Sequence, residues 1–79
     1  MKKIQVLGMG CAKCNKLEEN AMTAAQQLGI EYEIEHIKDI NVITGFGVML
    51  TPALVIDGQV KSAGKLLTVD EIRDLLISG

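Results

Sequence analysis

The sequence predicts an α/β domain with a four-stranded mixed sheet covered by helices. Three observations carry this. Short apolar, β-branched runs alternate with amphipathic helical stretches. A two-residue Asp57-Gly58 turn joins the last two strand-like runs, and Asp-Gly between such runs is a strong hairpin signal. A capped amphipathic helix then closes the chain. The element order is strand, helix, strand, helix, strand, strand, helix.

The first strand is Lys3-Ile4-Gln5-Val6-Leu7, apolar enough to be buried. Gly8 stops it, and Gly8 and Gly10 make a turn. A helix is expected from about Cys11 to Leu28. Leu17, Ala21, Ala24, Ala25 and Leu28 recur at three- and four-residue spacing as its apolar stripe, and Gly29 is its stop. From Ile30 to Ile37 the chain alternates. Ile30, Tyr32, Ile34 and His36 share one face, and Glu31, Glu33 and Glu35 the other. Like charges along one strand suit a sheet edge, because they discourage pairing with another chain.

Asp39 to Thr44 is predicted as a short helix with Ile40 and Ile43 as its apolar contacts. Phe46-Gly47-Val48-Met49-Leu50 is an apolar loop leading to Thr51-Pro52. Ala53-Leu54-Val55-Ile56 is an all-apolar strand, Gln59 to Ala63 the returning strand, and Thr68-Val69-Asp70-Glu71 a capping box. Val69, Ile72, Leu75 and Leu76 form the stripe of the last helix. Strands joined through helices are expected to be parallel. The most continuously apolar strands, the first and third, should be central. If the third runs parallel to the first, the Thr51-Pro52 loop enters from the far end of the sheet and reaches the first strand's end only by wrapping around.

Bulk properties narrow the function. The 79 residues, 48% of them hydrophobic, form one domain spanning 1–79. The net charge of -2 and the scattered Lys and Arg do not favour nucleic acid or an anionic membrane. Tyr32 and Phe46 are the only aromatics, too few for a base-stacking platform. The apolar part of the N-terminus is too short for a signal peptide, and no run approaches the ~20 apolar residues of a membrane span. The default expectation is the cytoplasm. There a CxxC is more often redox-active or metal-binding than a structural disulfide.

Both cysteines lie in Gly8-Met9-Gly10-Cys11-Ala12-Lys13-Cys14. Cys11 falls at the first helical turn, where unpaired N–H groups and the helix dipole stabilise a thiolate. Cys14, three residues on, returns to the same face and can attack a mixed disulfide formed on Cys11. Thiols in such motifs drop from about 8.5 toward about 7 or below. The expectation is Cys11 as nucleophile and Cys14 as resolving thiol, with no cofactor beyond the redox-active disulfide. Two other readings stand beside it. The cysteines can be ordinary buried small residues. They can also hold a soft metal, since Gly-Met-x-Cys-x-x-Cys is how heavy-metal-associated domains bind Cu(I). Two thiolates suffice for near-linear Cu(I) but not for tetrahedral zinc. Those domains end on a strand, whereas this chain ends on a helix. His36, the only other soft ligand, is expected to be a strand histidine.

With the CxxC, Thr51-Pro52-Ala53-Leu54-Val55-Ile56-Asp57-Gly58 and the final helix together, the chain resembles a minimal thioredoxin fold, βαβαββα. More closely, it resembles the small prokaryotic redox-active disulfide proteins, the glutaredoxin-sized members of the thioredoxin superfamily. The resemblance implies a thiol–disulfide oxidoreductase or electron carrier. Its partners would be a protein or small-molecule disulfide and a thioredoxin-reductase-like donor, and it would work as a monomer. It also implies a cis Thr51-Pro52 bond beside the disulfide. Thr51 would offer main-chain groups to an extended substrate, and Pro52 would pack beside Cys11 and Cys14. Met9, Ala12, Phe46 and Met49 would form an apolar rim. Phe46 and Met49 can equally be core.

Three positions depart from the family pattern. Ala12 stands where relatives often have Pro. Gln5 is the only polar group of the first strand, so the assisting aspartate of thioredoxin itself has no counterpart there. No Trp precedes Cys11. A glutathione site would need a positive charge, and Lys13, Lys16 and Lys65 are the residues placed to supply it.

Overall fold

The computed structural model describes residues 2–9 and 12–78. Chain order is β1 (Lys2–Leu7), α1 (Ala12–Leu28), β2 (Tyr32–Ile37), α2 (Ile40–Gly45), β3 (Ala53–Ile56), β4 (Gln59–Ala63) and α3 (Val69–Ser78). The strands form one sheet in the order β2-β1-β3-β4. The two continuously apolar strands are central, and the Glu-faced strand is an edge, as the hydrophobic pattern predicts.

Alternation splits the core across the sheet. Ile4 and Val6 of β1 and Leu54 and Ile56 of β3 face α1 and α3. They pack with Leu17, Ala21, Ala24, Ala25, Leu67, Ile72 and Leu76. Small alanines on α1 bring its backbone close to the sheet. On the other face Leu7, Ala53 and Val55 pack with Ile43 and Val48, and Ile37 and Phe46 lean on them. Ile40 does not join them: it is 55% exposed. Asp39 caps α2 by accepting from the Asn41 N–H. Ile43 is the α2 residue buried on this face, and Phe46, the C-cap just past the helix, leans on the same cluster.

The direction of β3 corrects the parallel expectation. β1 and β2 are parallel, with Val6 beside His36 and Leu7 beside Ile37. β3 is antiparallel to β1, with Leu7 opposite Ala53 and Ile4 opposite Ile56. The rule for parallel strands requires a connection that crosses the sheet and returns. A six-residue helix is about 9 Å long, and a six-residue strand about 20 Å. Thus α2 stays at the end where β2 finishes and feeds β3 from that end. Thr51-Pro52 meets the end of β1 directly, with no wrapping.

The hairpin and cap follow from local chemistry. Asp57 (φ 51) and Gly58 (φ 82) both take the left-handed conformation of a tight hairpin turn. The Lys3 N–H donates to the Asp57 carboxylate at 3.0 Å, and the Lys2 ammonium lies 3.3 Å from it. In the capping box the Glu71 N–H donates to the Thr68 hydroxyl, and the Thr68 N–H to the Glu71 carboxylate.

Both carboxylates are held below their ordinary values of 3.8 and 4.5. The first cause is the backbone N–H of Lys3 for Asp57 and of Thr68 for Glu71. A depressed folded-state value stabilises the fold above the ordinary value. That contribution is lost as pH falls through the folded one. We expect the melting temperature to decline below about pH 4.5, and the decline to be shallower in Asp57→Asn/Glu71→Gln. Thermal unfolding from pH 7 to pH 2 measures this, and identical acid limbs would contradict it.

Candidate active site

The site forms where three chain segments end together. β1 delivers Gly8, whose N–H donates to the Ile37 carbonyl at 2.9 Å and so extends the β1–β2 pairing by one residue. α1 delivers Cys14 from its first turn, fully buried. The loop before β3 delivers Thr51 and a buried Pro52, joined by a cis peptide bond.

Gly8 is the contact point. A Cβ on Gly8 would lie 2.1 Å from the Cys14 Sγ, 3.1 Å from the Cys14 Cβ and 3.9 Å from the Thr51 Cβ. The sulfur occupies the space a side chain would fill. Only glycine permits this approach, so Gly8 does more than end a strand. The same space adjoins Thr51, which places the CxxC helix and the Thr-Pro loop side by side. This juxtaposition was expected from the resemblance alone.

A second glycine supports the Thr-Pro loop. The Gly64 N–H donates to the Pro52 carbonyl at 2.8 Å. Gly64 has φ +74, and a Cβ there would lie 2.8 Å from the Leu50 Cβ. β4 therefore braces the loop through backbone, with Leu50 lying across the glycine.

The remaining predicted positions divide. Cys11 lies outside the described residues. Thr51, Ala12 and Lys13 are exposed. Met9 is 63% exposed, Met49 89% and Leu50 64%, each close in sequence to Gly8 or Thr51. Phe46 is half-buried against the core. Of the residues named for an apolar rim, Met9, Ala12 and Met49 are exposed, as is Leu50, while Phe46 leans on the core. Leu50 was missed because an apolar residue before Thr-Pro gives no sign of facing outward.

Two polar pairs near this end of the sheet also escaped the sequence. Gln5, nearly buried, donates from Nε2 to the Glu35 carboxylate at 3.1 Å. His36 Nδ1 lies 3.5 Å from Glu18 Oε2, bridging β2 to α1. Each pair joins residues far apart in the chain: the parallel register sets Gln5 beside Glu35, and the packing of α1 on β2 brings Glu18 to His36. Among the described residues no group of three or more His, Cys, Asp or Glu is placed to hold a metal ion. The frame also differs from the strand-helix-strand-strand-helix-strand order of heavy-metal-associated domains.

Comparison with known proteins agrees with this geometry. A family model described as a thioredoxin domain matches residues 2–77. A protein titled thioredoxin from Methanothermobacter thermautotrophicus is 42% identical over 76 residues, covering 96% of this chain and 99% of that protein. Another of that title, from Methanocaldococcus jannaschii, is 39% identical over 75 residues, covering 95% and 86%.

We expect Gly8→Ala to force Cys14 or Thr51 aside, at a cost of about 1–3 kcal/mol, the usual range for overpacking. Denaturant unfolding gives the loss, and the Cys14 alkylation rate should rise as the thiol is displaced. Unchanged stability together with an unchanged alkylation rate would contradict the close approach.

Proposed function

The chain belongs to the thioredoxin-domain family, and on that premise we propose that it is a thiol–disulfide oxidoreductase or electron carrier working through Cys11 and Cys14. The observation that carries the reading is the burial of Cys14 against Gly8, beside Thr51. An external disulfide cannot touch a fully buried sulfur. First contact therefore falls to the chain's other thiol, Cys11, and Cys14 is left to resolve.

The reaction follows from that asymmetry. The Cys11 thiolate attacks one sulfur of the substrate disulfide and displaces the other as a thiolate. The Cys14 thiolate then attacks the Cys11 sulfur and releases the second substrate thiol. The substrate gains two electrons, and Cys11 and Cys14 become a disulfide. A thioredoxin-reductase-like donor returns the two electrons. No metal or organic cofactor enters this cycle.

The surroundings suit a protein disulfide. Thr51 is exposed at the end of the sheet, where its main-chain groups can receive an extended segment as an added strand. The exposed Met9, Met49 and Leu50 supply apolar contact, and unbranched methionine adapts to varied partners. Ala12, next to Cys11 in sequence, is itself exposed. No described helix is long and apolar enough to cross a membrane. The proposed setting is the cytoplasm, where thiols are kept reduced and exchange is reversible, with the protein acting as a monomer.

We expect the reduced protein to cleave insulin disulfides with dithiothreitol as donor, and Cys11→Ser and Cys14→Ser each to lower turnover by at least a hundredfold. Failure of the unsubstituted protein both there and in a glutathione-coupled disulfide assay would remove this reading. Tight one-to-one Cu(I) binding without turnover would replace it with a soft-metal carrier.

A further inference from the structure

His36 is a buried imidazole for which the exchange chemistry above has no use. Its side chain is 11% exposed. Nδ1 faces the Glu18 carboxylate at 3.5 Å, and Nε2 is buried with no hydrogen-bond partner among the described residues. A carboxylate at one ring nitrogen draws the ring proton to that nitrogen. In the neutral ring the proton sits on Nδ1, toward Glu18, and Nε2 is a bare lone pair in the interior. A base oriented by a carboxylate is the arrangement that activates nucleophiles in general.

The fold sets this pair one helical turn along α1 from Cys14. Glu18 is four residues after Cys14 on α1, a spacing that puts Cβ atoms about 5–6 Å apart on one helix face. His36 pairs with Val6 across the parallel strands, on the sheet face that α1 covers. The next residue, Ile37, accepts the N–H of Gly8, and Gly8 is what the Cys14 sulfur rests on. Cys14 is thus tied to His36 from both sides, by one helical turn through Glu18 and by one strand position through Gly8.

Few other charges compete here. α1 presents Glu18 as the charged group facing the imidazole, and β1 presents the apolar Val6. On β2 itself Glu35 turns to the opposite face with Gln5, and Lys38 and Asp39 beyond it are exposed. The imidazole lies mostly inside the fold while its carboxylate partner keeps partial contact with water.

The geometry points to His36 as the proton acceptor for the Cys14 thiol in the resolving step, with Glu18 as its positioning residue. This rests on the redox reading above. With a substrate sulfur bonded to Cys11, the Cys14 S–H gives its proton to Nε2, and the ring becomes an imidazolium paired with Glu18. The Cys14 thiolate attacks the Cys11 sulfur. The Cys11–Cys14 bond forms, the bond from Cys11 to substrate breaks, and the departing substrate thiolate takes the proton from the imidazolium. Two electrons pass from the cysteine pair to the substrate, and His36 ends neutral. The step supplies what the first strand lacks, since Gln5 cannot accept and return a proton.

The test is a single turnover with the aromatic disulfide dithionitrobenzoate. One thionitrobenzoate leaves on attack by Cys11 and a second on resolution by Cys14. In His36→Gln we expect the second release to slow by roughly a hundredfold near pH 7, the scale of general-base assistance, and the first to be unchanged. The deficit should shrink as pH rises and more of the thiol ionises unaided. Glu18→Gln, a mild change at a half-exposed position, should shift the pH profile of the second release in the same sense, and it decides the matter if His36→Gln does not fold. Second-phase profiles of the variants that superimpose on that of the unsubstituted protein would overturn this assignment alone. Absence of a second release in the unsubstituted protein would instead overturn the redox reading beneath it.

Discussion

The contact between the Cys14 sulfur and the Cβ-less face of Gly8 is the constraint on which the site depends. It joins the start of α1 to the end of β1 with no room between them. It also buries one thiol of the CxxC completely. Thr51 lies at the margin of the same contact, so the loop that would receive a substrate is fixed to the thiol that would release it. Pro52 is then held by β4 through the Gly64 N–H. Strands β1, β3 and β4 and helix α1 all bear on this point through two glycines.

The direction of β3 makes the arrangement possible. Had β3 run parallel to β1, Thr51-Pro52 would stand at the far end of the sheet. The shortness of α2 prevents that, because a helix of six residues cannot carry the chain back. The rule that strands joined through helices run parallel holds where the helix spans the sheet, and α2 is too short to do so. Strand order was legible because it depends on burial, and burial is written in composition. Ala53 to Ile56 is apolar throughout, whereas Glu31, Glu33 and Glu35 mark an edge. Strand direction depends on the length of a connection.

The site was legible in part for the same reason. Cys14, Thr51 and Pro52 belong to motifs with a recognisable spacing, and their convergence followed from the resemblance. The close approach at Gly8 could not be seen, since a glycine ending a strand has many uses. Nor could the pairs Gln5–Glu35 and Glu18–His36. They depend on a parallel register and a helix packing that alternation alone leaves undetermined, and a one-residue slip of β2 would have turned Glu35 and His36 to the opposite faces. The outward position of Leu50 depends on Gly64, fourteen residues later, offering a surface without a side chain.

The central claim is that two thiols, one of them buried on Gly8, form one reversible two-electron couple. Equilibrating the protein across a series of glutathione or dithiothreitol buffers, then alkylating and weighing it, tests this directly. The account predicts that both thiols disappear together along a single two-electron curve, with a midpoint between the thioredoxin and glutaredoxin potentials of about -270 and about -200 mV. Thiols that remain alkylatable at every poise, or that are lost one without the other, would contradict it.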